Sequence, residues 1–371
     1  MKRNVMKRTV LAAVVLVALS ACRGNAVDGE QTEFEAFAEA IQKYDDMSSF
    51  SEGMAAVKCD EKWGYINTKG EEIVPCKYDK AWDFSEGLAA VENDDKTGFI
   101  NAQGEEVIPF KYGIPEFDFS FFSEGMCVVS DGLRYGYINT KGEEVIPCKY
   151  YLAWTFSDGL AATIPAPDEE DVNENWERWG FINKDGEEVV ACKYERVHSF
   201  SDGVTTVMLI NENEGEKWGI INTKGEEVTP FTYDRLTKGF SEGMAAVEKD
   251  WKFGFVNKDG EEIIPCEYDM AGDFSEGMAM VERDKKCGFI NKEGEEVIPC
   301  KYEMAWGFSE GLAMVLSGDK YGFINTKGEE VIPCKYDDAR SFSDGYALVR
   351  LNGRLGFVDK NGNDTFQSEE E

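Results

Sequence analysis

Residues 50–75 read Phe-Ser-Glu-Gly-Met-Ala-Ala-Val-Lys-Cys-Asp-Glu-Lys-Trp-Gly-Tyr-Ile-Asn-Thr-Lys-Gly-Glu-Glu-Ile-Val-Pro, and the rest of the chain is largely this passage written again. Phe-Ser-Glu/Asp-Gly returns at Phe84, Phe122, Phe156, Phe200, Phe240, Phe274, Phe308 and Phe342, and five of the eight steps are 34 residues. A fixed short period marks an array of one supersecondary unit. Inside each unit the spacing is rigid. Gly64 is followed six residues later by Gly70 and, eight beyond that, by Tyr78; the six-residue step recurs in all nine units.

The segments between these glycines are four to six residues of Val, Ile, Phe and Tyr, bounded by Gly, Asn or Asp, which predicts short strands. Asn67-Thr68-Lys69-Gly70 predicts a tight hairpin, with Gly in the position that takes positive φ. Pro75, Pro109, Pro147, Pro265, Pro299 and Pro333 close the following strand, where a missing N–H does least harm. Gly or Pro interrupts nearly every ten residues, which excludes the long 3.6-period stretches of helical repeats. The fold class is therefore all-β: nine tandem repeats of about 34 residues built from short antiparallel strands. An open curved array is the expected arrangement. A closed, propeller-like toroid is the alternative, since the chain begins and ends in partial units at Tyr44 and Phe366. Gly64 and its counterparts lie inside strands. The expected cause is an aromatic ring of the next unit lying on bare backbone. Tyr65, Phe99, Tyr137, Phe181, Phe255, Phe289, Phe323 and Phe357 are the candidate rings, with Ile220 in the fifth unit, and each motif Phe is a second core anchor.

Trp63-Gly64, Trp179-Gly180 and Trp218-Gly219, set in a Gly-Phe/Tyr-Ile-Asn-x-x-Gly-Glu-Glu-Val-Ile-Pro frame, resemble the bacterial WG-repeat family over about residues 44–366. The resemblance implies a β-rich repeat structure and no common enzymatic activity, and it supplies no catalytic residues. Thr97, Tyr135, Phe253, Cys287, Tyr321 and Leu355 replace the Trp elsewhere.

Residues 1–21 read as a signal peptide: a basic start, a short apolar run from Val10 to Leu19, then Leu19-Ser20-Ala21-Cys22. This resembles a bacterial lipoprotein signal, with Cys22 as the lipidated residue, and implies a lipid-anchored protein of the cell envelope. Arg23, rather than Asp, favours the outer membrane over inner-membrane retention; the facing leaflet stays open. Residues 22–43 read as a lipidated tether followed by a helical cap, because Phe34, Phe37, Ala38 and Ile41 fall on one helical face. Residues 44–371 are the repeat domain.

The chain carries 72 Asp and Glu against 39 Lys and Arg, a net charge of −33. That argues against nucleic acid as a partner. Glu-Glu pairs after each turn glycine (Glu71-Glu72 through Glu329-Glu330) predict an acidic ridge, partly neutralised by Lys77, Lys149, Lys193, Lys301 and Lys335. A solvated edge that resists stray pairing is the plain reading; weak Ca²⁺ or basic-partner binding is the sharper one, without an Asp-x-Asp-x-Asp-Gly loop to support a tight site. Of ten cysteines, Cys76, Cys148, Cys192, Cys266, Cys300 and Cys334 share one repeat position, where Phe110 and Phe231 also occur, so a small buried apolar role is expected. Cys59, Cys127 and Cys287 are irregular, and no pairing is evident. Nine unpaired envelope cysteines imply a reducing habitat. No Cys-x-x-Cys occurs and His198 is the only histidine, which speaks against zinc, other cofactors and general-base catalysis.

Function in arrays lies where copies differ. Extra residues interrupt the period between Tyr112 and Phe122, within Ile164 to Arg178, and around Asn211 to Glu216. The last two fall in the same hairpin of adjacent units and form a candidate rim. The position two before the motif Phe holds Trp82, Trp154 and Trp306, and its tolerance of Gly, Lys and Arg implies exposure. With Trp176 in the long insertion, these are the candidate ligand-binding residues. The sequence thus predicts a non-catalytic, lipid-anchored scaffold that presents an acidic surface to an envelope or extracellular protein. The alternative is a glycan or cell-wall binding module using these tryptophans.

Overall fold

The computed structural model describes residues 28–113, 121–167, 177–211, 215–236 and 239–366. The first repeat forms an antiparallel sheet ordered β1 (Asp46–Met47), β2 (Met54–Cys59), β3 (Lys62–Asn67), β4 (Glu72–Tyr78). Eight such sheets succeed one another. One is six-stranded and carries two repeats, because Glu144–Ala153 runs unbroken from the outer strand of one into the inner strand of the next. The last, formed by residues of the ninth repeat, has three strands. Among the described residues no helix is long and apolar enough to cross a membrane.

β2 explains how the sheets associate. Met54, Ala55, Ala56 and Val57 are all buried. Since successive side chains leave a strand on opposite faces, this strand is covered from both sides. Met54 and Ala56 pack with Phe84, Ala89, Val91 and Ile100 of the following repeat. Ala55 and Val57 pack with Phe50, Leu348 and Phe357, the last two from the ninth repeat. The cores lie between sheets, and the first and last repeats share one.

The structure is therefore a closed β-propeller, and the open curved array expected from the sequence is wrong. The motif Phe-Ser-acid-Gly shows how the ring is held. Ser51-Glu52-Gly53-Met54 is a two-residue hairpin with both backbone bonds made, and its central residues have φ of 52° and 77°. All nine acids in this position adopt positive φ. Each acid accepts the amide N–H of the next repeat's glycine: Gly87 to Glu52, Gly125 to Glu86, and so on round to Gly345 on Glu310 and Gly53 on Asp344, at 2.7–3.0 Å. The Gly53–Asp344 bond closes the circle. The serine donates to the carbonyl of the next motif Phe, as in Ser51 Oγ to Phe84 O at 2.8 Å. The Phe ring meets the aromatic after the strand glycine of the preceding repeat, as in Tyr65–Phe84 at 5.1 Å and Phe357–Phe50 at 5.0 Å. Only the Ile220–Phe240 step lacks two rings.

Gly64 has a different cause from the one expected. The register of β3 on β4 jumps from Trp63–Tyr78 to Tyr65–Val74, so three residues of β4 bulge over one glycine. A Cβ on Gly64 would lie 2.7 Å from the Cys76 amide nitrogen. The close approach comes from the same repeat's outer strand, not from a ring of the next repeat. Pro75 sits in this bulge, where no ladder N–H is required. Rings lie on the glycine where Phe110 and Phe231 replace the cysteine, a Cβ on Gly98 or Gly219 meeting them at 3.1 Å, and in the ninth repeat, where a Cβ on Gly356 would meet the Phe366 ring at 2.8 Å. The shared cysteines are half-buried beside this bulge. Cys59 and Cys76 form a disulfide, so the expectation of an unpaired set fails in the first repeat, where alone a second cysteine ends β2.

The ninth repeat lacks a full outer strand. Helix α1 (Asp28–Ile41) fills that place. Elsewhere an outer-strand Val or Ile, or Thr229 in the fifth repeat, abuts the next repeat's turn glycine, as Ile298 does Gly328; at the seam Phe37 abuts Gly70. Phe37 and Ile41 are buried there with Tyr44, Phe50 and Phe357. A helix was expected to cover an open end; it seals a junction instead. Cys22 and the signal segment lie outside the described residues. The lysines expected to neutralise the Glu-Glu ridge lie over their neighbouring tyrosines, for example Lys77 Nζ at 5.0 Å from the Tyr78 ring centroid. The first Glu of each pair is held by the turn asparagine, as Asn67 Nδ2 to Glu71 Oε2 at 2.7 Å.

Two outcomes follow for stability. Phe37→Ala costs about 3–5 kcal/mol in urea unfolding, with a smaller loss for Phe34→Ala, whose ring is only half-buried. Gly288→Ala places a Cβ 2.7 Å from the Cys300 amide nitrogen, against backbone that cannot yield, and costs about 1–3 kcal/mol, read as a fall in Tm. Gly219→Ala, facing the Phe231 ring, which can turn, costs less.

Candidate functional site

The sheets present two rims. One carries the Phe-Ser-acid-Gly hairpins and the Asn-x-x-Gly turns. The other carries the turns between β2 and β3 and their counterparts, and it holds the most irregular part of the molecule. Here the fourth, fifth and sixth repeats form a cleft of about 440 Å³ lined by Trp154, Trp179, Arg196, Val197, His198, Glu216, Trp218, Asp234, Arg235 and Leu236.

Its aromatic floor arises from the repeat geometry. The position two before the motif Phe faces the position of the WG tryptophan with one strand of the sheet between them. Where both are aromatic, the rings pair. Trp154 meets Trp179 at 4.9 Å and 54°, and His198 stacks on Trp218 at 5.0 Å and 12°. Trp306 meets Tyr321 at 5.7 Å in the same way, but alone. Only at the cleft do two adjacent repeats both carry such pairs.

His198 is held as a neutral ring. Its Nδ1 lies 2.6 Å from Thr206 Oγ1, and burial pushes its pKa down to about 4. The charged groups around the cleft are partly committed. Arg178 pairs with Glu195 at 3.0 Å, and Lys217 with Asp234 at 2.6 Å. Asp234 also accepts the Asp250 N–H at 3.1 Å. Among the described residues no group of three His, Cys, Asp or Glu is arranged to hold a metal ion.

Of the tryptophans singled out by the sequence, Trp154 lines the cleft and is half-buried against its core, not exposed as expected. Trp82 and Trp306 occupy the equivalent place in other repeats and are half-buried against their own cores, not exposed as expected. These three are not brought together, and Trp176 lies outside the described residues. The sequence reading missed Trp179 and Trp218, treated there only as frame residues, and His198, weighed only as a catalytic base. The available signal was coincidence within one repeat of aromatics at both positions. It also missed Trp251, which is 87% exposed at a turn with φ of 62°, on the same rim as Leu133, 84% exposed.

No curated protein sequence matches the chain. Among solved structures, one described as the crystal structure of the eukaryotic initiation factor is similar over 85% of this chain and 96% of its own, at 11% identity and a TM-score of 0.59, a likeness of fold alone. The WD40 domain of SCAP from fission yeast is similar over 86% of this chain and 96% of its own, at 8% identity and a TM-score of 0.39. The family model for the WG containing repeat matches nine times, at residues 39–63, 63–96, 98–132, 135–163, 179–212, 218–252, 253–287, 288–321 and 321–354. These matches follow the chain round most of the ring, and the protein belongs to the WG containing repeat family.

Proposed function

We propose that this chain is a non-catalytic binding propeller of the bacterial cell envelope, anchored through lipid on Cys22, and that it takes a saccharide in the cleft of the fourth to sixth repeats. The observation that carries this reading is the two aromatic pairs, the tilted Trp154–Trp179 and the stacked His198–Trp218, on one cleft. Flat aromatic faces suit the apolar faces of sugar rings, and polar groups at the edge suit their hydroxyls. The single histidine, neutral and stacked, serves as floor rather than base. The charge of −33 keeps nucleic acid and anionic lipid headgroups away, so the membrane link falls to the lipid.

A protein partner is the second reading. It is favoured by Leu133, Ile210 and Trp251, exposed at 84%, 55% and 87% on the rim that bears the cleft. Large apolar side chains exposed on one rim mark contact surfaces.

Cell-wall polysaccharide retains the purified chain on this reading, and Trp154→Ala with Trp179→Ala weakens retention about tenfold; undiminished retention would sink it. Cys22→Ala abolishes fatty-acid labelling in a bacterial host, and labelling that persists removes the anchor. His198 gives the only histidine resonances in the spectrum. They titrate near pH 4, and sugar binding shifts them. Because the folded state disfavours the imidazolium, stability falls as pH drops from about 6.5 toward 4, by an amount His198→Gln removes.

A further inference from the structure

Resting on the saccharide reading above, we infer that the cleft selects a carboxylated sugar, a uronic acid unit, through Arg196 and Arg235. Both line the cleft and both are exposed. Arg196 opens a two-residue strand with Val197, and His198 follows it directly, so both line the cleft from one short segment. Arg235 holds the same place one repeat on.

The ion pairs around them identify these two as available. In the second repeat this position is Lys80, and it pairs across the strands with Glu92 at 3.3 Å. Arg196 faces Met208 instead, so its cross-strand partner is gone. Arg235 faces Glu248, which is buried, yet no ion pair forms between them. Of the neighbouring acids, Asp234 is used on Lys217, and Glu195 gives Oε1 to Arg178 while its Oε2 is buried without a hydrogen-bond partner. Glu216 is the remaining carboxylate of the lining. Among the described residues neither Arg196 nor Arg235 has an ionic partner, in a chain where acids outnumber bases 72 to 39.

Two arginines and an aromatic floor lining one cleft fit one chemistry closely. A planar carboxylate accepts paired N–H bonds from such a fork. The ring that bears it presents an apolar face to the half-buried Trp154 and Trp179, Trp218 being buried against His198. A neutral sugar would use the floor and leave both cations without a partner. A free anion would use the cations and leave the floor empty.

The test is calorimetric titration of the purified full chain with trigalacturonate, cellotriose and inorganic phosphate, repeated on the double variant Arg196→Gln/Arg235→Gln. Trigalacturonate should bind at least about tenfold more tightly than cellotriose, and the double variant should lose that margin, as expected for charge-assisted bonds. An unchanged circular dichroism spectrum shows that the variant is folded. Equal binding of the two sugars, or unchanged trigalacturonate affinity in the variant, overturns the inference and leaves the saccharide reading standing. Phosphate binding without sugar binding overturns both, as does no binding at all.

Discussion

Every sheet in this protein has two apolar faces. A strand such as Met54-Ala55-Ala56-Val57 offers nothing to water on either side, so a repeat is stable only between two others. A row of such units leaves a bare face at each end. A ring leaves none, and here the first and ninth repeats bury Ala55, Val57, Leu348 and Phe357 against each other. Closure follows from burial on both faces, and the short side chains of β2 let neighbouring sheets approach while the motif Phe fills the gap.

The motif residues are all spent at that junction. The ring packs, the serine bonds the next carbonyl, and the acid and glycine make a turn with two left-handed residues. A left-handed acid costs about 1–2 kcal/mol. A carboxylate bonded to a backbone N–H is a charge-assisted contact that offsets it. Carboxylates clustered round one ring would repel one another. Lys184, Lys292 and Lys360 reach Glu124, Glu242 and Glu310 at 2.9–3.1 Å, which relieves part of this.

Strands, turns and core aromatics were legible because each depends on a few neighbouring residues. Gly, Asn and Pro mark where Lys62–Asn67 and Glu72–Tyr78 begin and end, and alternation marks what they bury. Closure was legible only as the alternative, from the partial units at Tyr44 and Phe366, because the choice depends on the angle between successive sheets and on α1, which shares no pattern with the repeat. The reason for Gly64 was misread because a bulge in β4 leaves no compositional trace beyond Pro75. The pairing of Cys59 with Cys76 joins the end of β2 to the bulge of β4, 17 residues apart in sequence. Trp154 was visible as an anomaly, but its partners were not. They sit at two repeat positions that become neighbours only when the sheet is formed, and Trp82 and Trp306 share the first position without a comparable second repeat beside them.

The seam at α1 also bears on how the molecule could change in evolutionary time. In a propeller whose last sheet is completed by a strand from the other terminus, that split sheet is unlike the rest. Here the closing piece, Phe37 and Ile41 on a helix, lies outside the repeated unit and meets a turn glycine and motif Phe that every repeat possesses. Duplication or loss of a whole repeat therefore leaves the clasp chemically intact and alters only the circumference. Copy number is a free variable of the gene, bounded by the curvature that the Phe–aromatic wedge will tolerate.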